Sequence, residues 1–295
     1  MASREDAAEL FQQIAAARGA RSDQQELIRQ FARENPEDSL ETFALIVNSN
    51  PRAVQEIAEI TAEALPEEAP AIAGAIAAMT PQVAAAAASS MTIADPTLAE
   101  DVAVSVIENA PAAAGSVTAS VVEIDPQIAV NIAEAIIEVS PSSAGSVAGA
   151  IAQVAPEVAV DAATAIAVTN PAAASAAATA VVAVDPETAV EVATAMSQAS
   201  PNTTVAVAAG VASGVVQATV AEVNQETAQA NAEIQADAQG QIGDAQADFI
   251  EATGEGSETA LDDAQGEIAD VQLAAQDALI ESNQAGQEAA LAASQ

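Results

Sequence analysis

Twelve of the thirteen prolines in this chain fall at Pro36, Pro51, Pro66, Pro81, Pro96, Pro111, Pro126, Pro141, Pro156, Pro171, Pro186 and Pro201, and only Pro70 breaks the fifteen-residue step. A period this strict fixes the architecture before any local assignment is attempted. Proline is favoured at the first position of a helix, where its missing N–H would have had no partner, and Ser, Thr, Asp or Asn is favoured just before it. The chain supplies Asn35, Asn50, Thr80, Asp95, Asp125, Ser140, Asn170, Asp185 and Ser200 at that place, with Leu65, Ala110 and Ala155 as exceptions. Counting each proline as position 1, apolar residues recur at positions 4, 7, 8, 11 and 12, as in Ala129, Ile132, Ala133, Ile136 and Ile137. That spacing covers one face of an α-helix, whereas a strand would need alternation. Each unit therefore predicts a helix of about eleven or twelve residues and a turn of about three, with neighbouring helices antiparallel. Position 14 is expected to pack on position 4 as a hydrophobic staple.

A coarser period overlies the first. Units opening at Pro111, Pro141 and Pro171 carry small residues at positions 2 and 5, whereas those opening at Pro126, Pro156 and Pro186 carry Gln or Glu at 2 and Val at 5. The true repeat is thirty residues, a pair of unlike helices. In the first class Gly115 and Ser116, or Gly145 and Ser146, would admit a close backbone; in the second, Asn131, Asp161 and Glu191 would face solvent. The expected fold is all-α: a solenoid over residues 36–215 with one tightly packed small-residue layer and one wetter acidic layer. In repeat length and helix pairing it resembles the short HEAT-like helical repeats.

Solenoid ends need covers. Residues 1–35 predict a helical cap, with one helix near Asp6–Arg18, a break at Gly19 and a second helix started by Ser22. Phe11, Phe31 and Phe43 give this end more bulk than the later repeats hold. After the last proline unit, residues 216–295 become an acidic tract rich in Ala and Gln, expected to be helical or partly disordered, with a hairpin turn at 254–257. Val220, Val223, Ile234, Ile242, Phe249 and Ile250 suggest a loose apolar stripe on its first arm, and Leu261, Ile268, Val271 and Leu279 one on its second. The uncharged stretch Val192–Ala221 is long enough to span a membrane, but its proline, glutamines and lack of basic flanks argue against a span.

Net charge is −37, and the only basic residues are Arg4, Arg18, Arg21, Arg29, Arg33 and Arg52. Such a chain has no means of binding nucleic acid phosphates. With no His, Cys, Lys, Tyr or Trp, it also lacks most of the side chains that serve as bases, nucleophiles and metal ligands, so an enzyme and a cofactor are not expected. Carboxylate neighbours such as Glu67–Glu68 or Asp262–Asp263 do not share a helix face. Weak, non-specific calcium binding is the one ion interaction expected of the acidic surface. The sequence shows no secretory signal, which leaves a cytoplasmic location or leaderless export to the cell surface. Two function classes follow. The first is a structural protein that self-assembles head to tail into a filament, sheath or matrix fibre, with Arg4, Phe11, Arg18, Arg21, Arg29, Phe31, Arg33, Phe249 and Ile250 as assembly contacts. The second is a scaffold whose acidic surface holds basic proteins.

Overall fold

A computed structural model describes residues 4–17, 21–35, 38–255 and 258–294; the side chains of Arg4, Asp248, Phe249, residues 251–262 and Ala264 are outside that description. The described residues form α1 (Arg4–Ala16), α2 (Arg21–Glu34), α3 (Ser39–Ser49), α4 (Val54–Ala64), α5 (Ala69–Met79), α6 (Ala84–Ala94), α7 (Ala99–Asn109) and α8 (Ala114–Val122). They continue with α9 (Ala129–Val139), α10 (Ala144–Val154), α11 (Ala159–Thr169), α12 (Ala174–Val184), α13 (Ala189–Ala199), α14 (Thr204–Glu255) and α15 (Glu258–Ala293), with no strand among them. Two structural units are distinguished, residues 1–215 and 216–295, and the division falls inside α14.

In the first unit the architecture is the all-α solenoid, and the fifteen-residue step has a uniform anatomy. In most units the proline opens a three-residue 3₁₀ turn, such as Pro126–Ile128, and the α-helix starts at position 4 and runs for eleven residues. The helix is thus preceded by a tighter turn where a direct proline start was expected. Position 15 is extended, with φ −141° at Asn50 and −133° at Asp185, as steric conflict with the following proline ring requires. Its N–H closes the preceding helix and its carbonyl accepts from position 3: Asn50 N donates to Ile46 O at 2.9 Å, and Ala53 N to Asn50 O at 2.9 Å. The same pair recurs at Ala110 and Ala155. The backbone therefore satisfies itself whatever the side chain, which is why Leu65, Ala110 and Ala155 are tolerated. Among the described residues that precede the 3₁₀ turns, side-chain caps form at Asp95, Asp125, Asn170 and Asp185, which accept from the N–H of position 2. The irregular Pro70 sits in the first turn of α5, where no intrahelical N–H is needed.

Positions 4, 7, 8, 11 and 12 are buried in both helix classes, for example Ala114, Val117, Thr118, Val121 and Val122 on α8 and Ala129, Ile132, Ala133, Ile136 and Ile137 on α9. The expectation that one class is the more buried is not met. Position 6 is exposed in both, at Ser116 and Ser146 as at Asn131 and Asp161. What separates the classes is side-chain volume and charge. Each helix packs chiefly on the second helix along, giving two layers: Gly115 of α8 faces Ser146 of α10, and Gly145 of α10 faces Ala176 of α12. The expected staple is weak, since Ile124, Val139 and Val184 at position 14 stay 36%, 40% and 39% exposed at their helix ends.

The second unit is an antiparallel helical hairpin. Asn231 Nδ2 donates to Asn283 Oδ1 at 3.0 Å, and Gly286 lies against Thr227. Val220, Val223, Ile234 and Ile242 on α14 and Ile268, Val271 and Leu279 on α15 are half-buried. Ile250 departs from the expected stripe, 71% exposed, and the Phe249 and Leu261 side chains lie outside the described residues. Among the described residues of this unit only Ala245 is fully buried.

Candidate assembly surfaces

At the N-terminal end, α1 packs on α3 and α2 on α4, continuing both layers. Buried Gln24 ties them together, donating to Ile14 O and to Glu56 Oε1, both at 3.2 Å. The arginines expected to reach outward are engaged within the chain. Arg21 pairs with Glu59 at 2.9 Å and Glu63 at 3.0 Å, and the hydrogen bonds it donates to Glu63 and then Glu59 raise its guanidinium pKa above the ordinary value. Arg29 donates to the carbonyls of Ala64 and Glu63, each at 3.1 Å, satisfying the end of α4. Arg33 pairs with Glu26 at 2.7 Å and also donates to Arg29 O. Phe31 meets buried Phe43 edge to face at 6.0 Å, and Phe11 packs half-buried on the core. The Arg4 and Phe249 side chains and Arg18 lie outside the described residues, and Ile250 belongs to the other unit. Of the proposed contact set, the fold brings together Arg21, Arg29 and Phe31, as internal fastenings of the cap.

The C-terminal edge of the array differs. In the small-residue layer, positions 5 and 9 face the next helix of the layer: Gly145 meets Ala176, and Gly149 meets Ala180. On α14 those positions are Val205 and Ala209, and both are exposed, Val205 by 85%. In the acidic layer the position-5 residues Val130 and Val160 are half-buried, whereas Val190 on α13 is 78% exposed. The array ends on an uncovered valine edge. Sequence reasoning missed these two residues, although their signal was legible: position 5 of the last unit in each class.

From α6 to α13 charge sorts by layer, although α4 of the first layer carries Glu56, Glu59 and Glu63 and α5 of the second carries no charge. The helices α6, α8, α10 and α12 contain no charged residue, while α7, α9, α11 and α13 carry Glu100, Asp101, Glu108, Glu134, Glu138, Asp161 and Glu191. From α6 to α12 this layer is accordingly neutral, with a shallow groove of about 410 Å³ bordered by Gly115, Ser146, Gly149 and Ala180.

Among the described residues no group of three or more carboxylates lies close enough to hold a metal ion. One helical stretch, Pro201–Ala247, is long and apolar enough to cross a membrane by length and composition. Its Gly210 and Gly214 lie against α12, and Thr179 donates to Gly210 O at 3.0 Å. Comparison with protein-family models, with curated proteins and with solved structures finds no match to this chain.

Proposed function

We propose that this chain is a non-enzymatic structural protein that self-associates, and that copies meet at the open edge formed by α13 and the start of α14. The observation that carries this reading is the exposure of Val190 and Val205 at position 5, a position that the five preceding units, opening at Pro111 to Pro171, keep half-buried. The occupant that fits is a second copy, because in the preceding repeats of the small-residue layer this position packs on a helix of like chemistry, as Gly145 does on Ala176. At a net charge of −37 two copies repel, so approach is easiest where apolar or neutral surface meets its like. Edge-on-edge contact is isologous and closes as a dimer. Head-to-tail growth is less well supplied. The outward side of α1 offers Glu5 and Glu9 to an edge that itself carries Glu187 and Glu191, and the described arginines of α2 have internal partners.

Sedimentation equilibrium of the full chain at several salt concentrations tests the proposal. The wild type is expected to dimerise more strongly as salt screens the acidic surface. Val190→Glu with Val205→Glu should weaken dimerisation by roughly tenfold or more, since burying a valine contributes about 1.5–3 kcal/mol and each 1.4 kcal/mol is tenfold. Both sites are exposed, so helicity and Tm should not change. A wild-type chain that stays monomeric at every salt concentration refutes the reading; long polymers in electron micrographs support head-to-tail stacking in its place.

A further inference from the structure

We infer that the outward face of α15 docks an amphipathic helix of another protein, one that carries lysine or arginine along a single flank. Leu273, Ile280 and Leu291 on this face are 60%, 54% and 61% exposed. The steps of seven and eleven residues between them are close to two and three whole turns at about 3.6 residues per turn, so the three side chains stand in one row about 27 Å long. Val271, Ala275 and Ala278 border the seam with α14, and Gly286 lies against Thr227. Those residues occupy the opposite side of α15, so α14 cannot cover the Leu273 row.

Single apolar residues on a surface are ordinary. A surface helix of a two-helix hairpin needs one apolar stripe, toward its neighbour, and shows polar residues on the other side. α15 has its stripe toward α14 and a second row facing away, which is the pattern of a helix packed between two others.

The charges beside the row select the occupant. Asp270, Asp277, Glu281 and Glu288 run along one flank, about 40–80° around the helix from the row, while Gln276, Asn283 and Gln287 lie on the other. All of them are exposed. The complement is a helix with apolar anchors three, four and seven residues apart, cationic side chains on the flank that meets the carboxylates, and neutral polar residues on the flank that meets the amides. One-sided charge also fixes the direction in which that helix lies, because reversing it exchanges its flanks. A second copy does not fit. Residues 53–295 contain no Lys or Arg, so another α15 laid on this face would set carboxylate beside carboxylate, and like charges brought together suppress the wrong partner. The inference does not rest on the self-association proposed above.

The test titrates the full chain into a labelled, amidated peptide of three Leu-Gln-Ala-Leu-Lys-Gln-Ala heptads and into a form with each Lys replaced by Glu, followed by fluorescence anisotropy. Saturable binding of the lysine peptide and none of the glutamate peptide is expected. Leu273→Gln with Ile280→Gln should weaken binding by about tenfold or more, since over half of each side chain is left to bury. Asp270→Asn with Asp277→Asn should weaken it by about threefold or more and reduce its salt dependence. The same charge change on α9, Glu134→Gln with Glu138→Gln, should alter it by less than about 1.5-fold, because distant surface charges are screened. All six sites are exposed, so helicity by circular dichroism should match the wild type in every variant. No saturable binding of the lysine peptide, wild-type affinity in Leu273→Gln with Ile280→Gln, or equal weakening by the two charge pairs would each overturn the inference. So would loss of the chain's own self-association in Leu273→Gln with Ile280→Gln, which would give this face to a second copy.

Discussion

One substitution, glycine to alanine, should have opposite signs at two places in the same layer, and the interhelical distance decides which. In a helix interior alanine is favoured over glycine by about 1 kcal/mol, and that gain is common to Gly145, Gly149 and Gly214. A Cβ on Gly145 would stand 3.6 Å from Ala176 O and 3.8 Å from Ala176 Cβ, and one on Gly149 3.5 Å from Ala180 Cβ. These are ordinary contacts, so Gly145→Ala and Gly149→Ala should stabilise by about 1 kcal/mol each and raise Tm by about 2–4 °C for a unit of this size. A Cβ on Gly214 would stand 2.7 Å from Thr179 O and 2.8 Å from Val182 Cβ. Neither is the end of a flexible side chain, so α14 must move off α12. Gly210 lies closer still to the Ser175 carbonyl, so the displacement would also strain the Thr179–Gly210 hydrogen bond. Overpacking costs about 1–3 kcal/mol, which cancels or exceeds the propensity gain. Repeat arrays fray from their ends, so the loss should be local. Hydrogen exchange over residues 204–215 should accelerate in Gly214→Ala, while urea midpoints from circular dichroism should rise in Gly145→Ala without a change in m-value. A Gly214→Ala chain that gains protection at 204–215 and unfolds at higher urea, as Gly145→Ala does, would refute the reasoning.

Other outcomes follow from the fastenings of the array. Asp125→Ala should cost about 1 kcal/mol by urea denaturation, because its carboxylate accepts from Gln127 N at 3.0 Å, and Asn50→Ala should cost almost nothing, because Asn50 makes no side-chain cap. Arg29→Met should cost about 1 kcal/mol at any salt concentration, since it strips the carbonyls of Glu63 and Ala64. Arg21→Met should cost under about 1 kcal/mol and lose even that in high salt, since its pairs with Glu59 and Glu63 are partly exposed and screened.

The sequence by itself determined the unit and its inner face. Proline every fifteenth residue excludes a continued helix at that point, and the 4, 7, 8, 11, 12 pattern has a helical period, so helix length and the buried residues from Ala114 to Val182 could be read without coordinates, whereas the helix start, three residues after the proline, could not. The two helix classes were legible as well, because glycine and serine at position 5 differ from valine in volume. The tertiary structure decided what those features face. Helices pack mainly on the second neighbour along, so burial came out equal in the two layers while charge did not. Arg21 and Arg29, assembly contacts in the sequence reading, lie within reach of Glu59, Glu63 and the last carbonyls of α4, residues some thirty or forty positions away, and local sequence carries no record of such a distance. Val190 and Val205 repeat a residue position that is half-buried in the five units before them, and the place where the array stops leaves them bare. Periodicity is a local property written along the chain; which surface remains uncovered depends on the neighbours that folding brings, or fails to bring, against it.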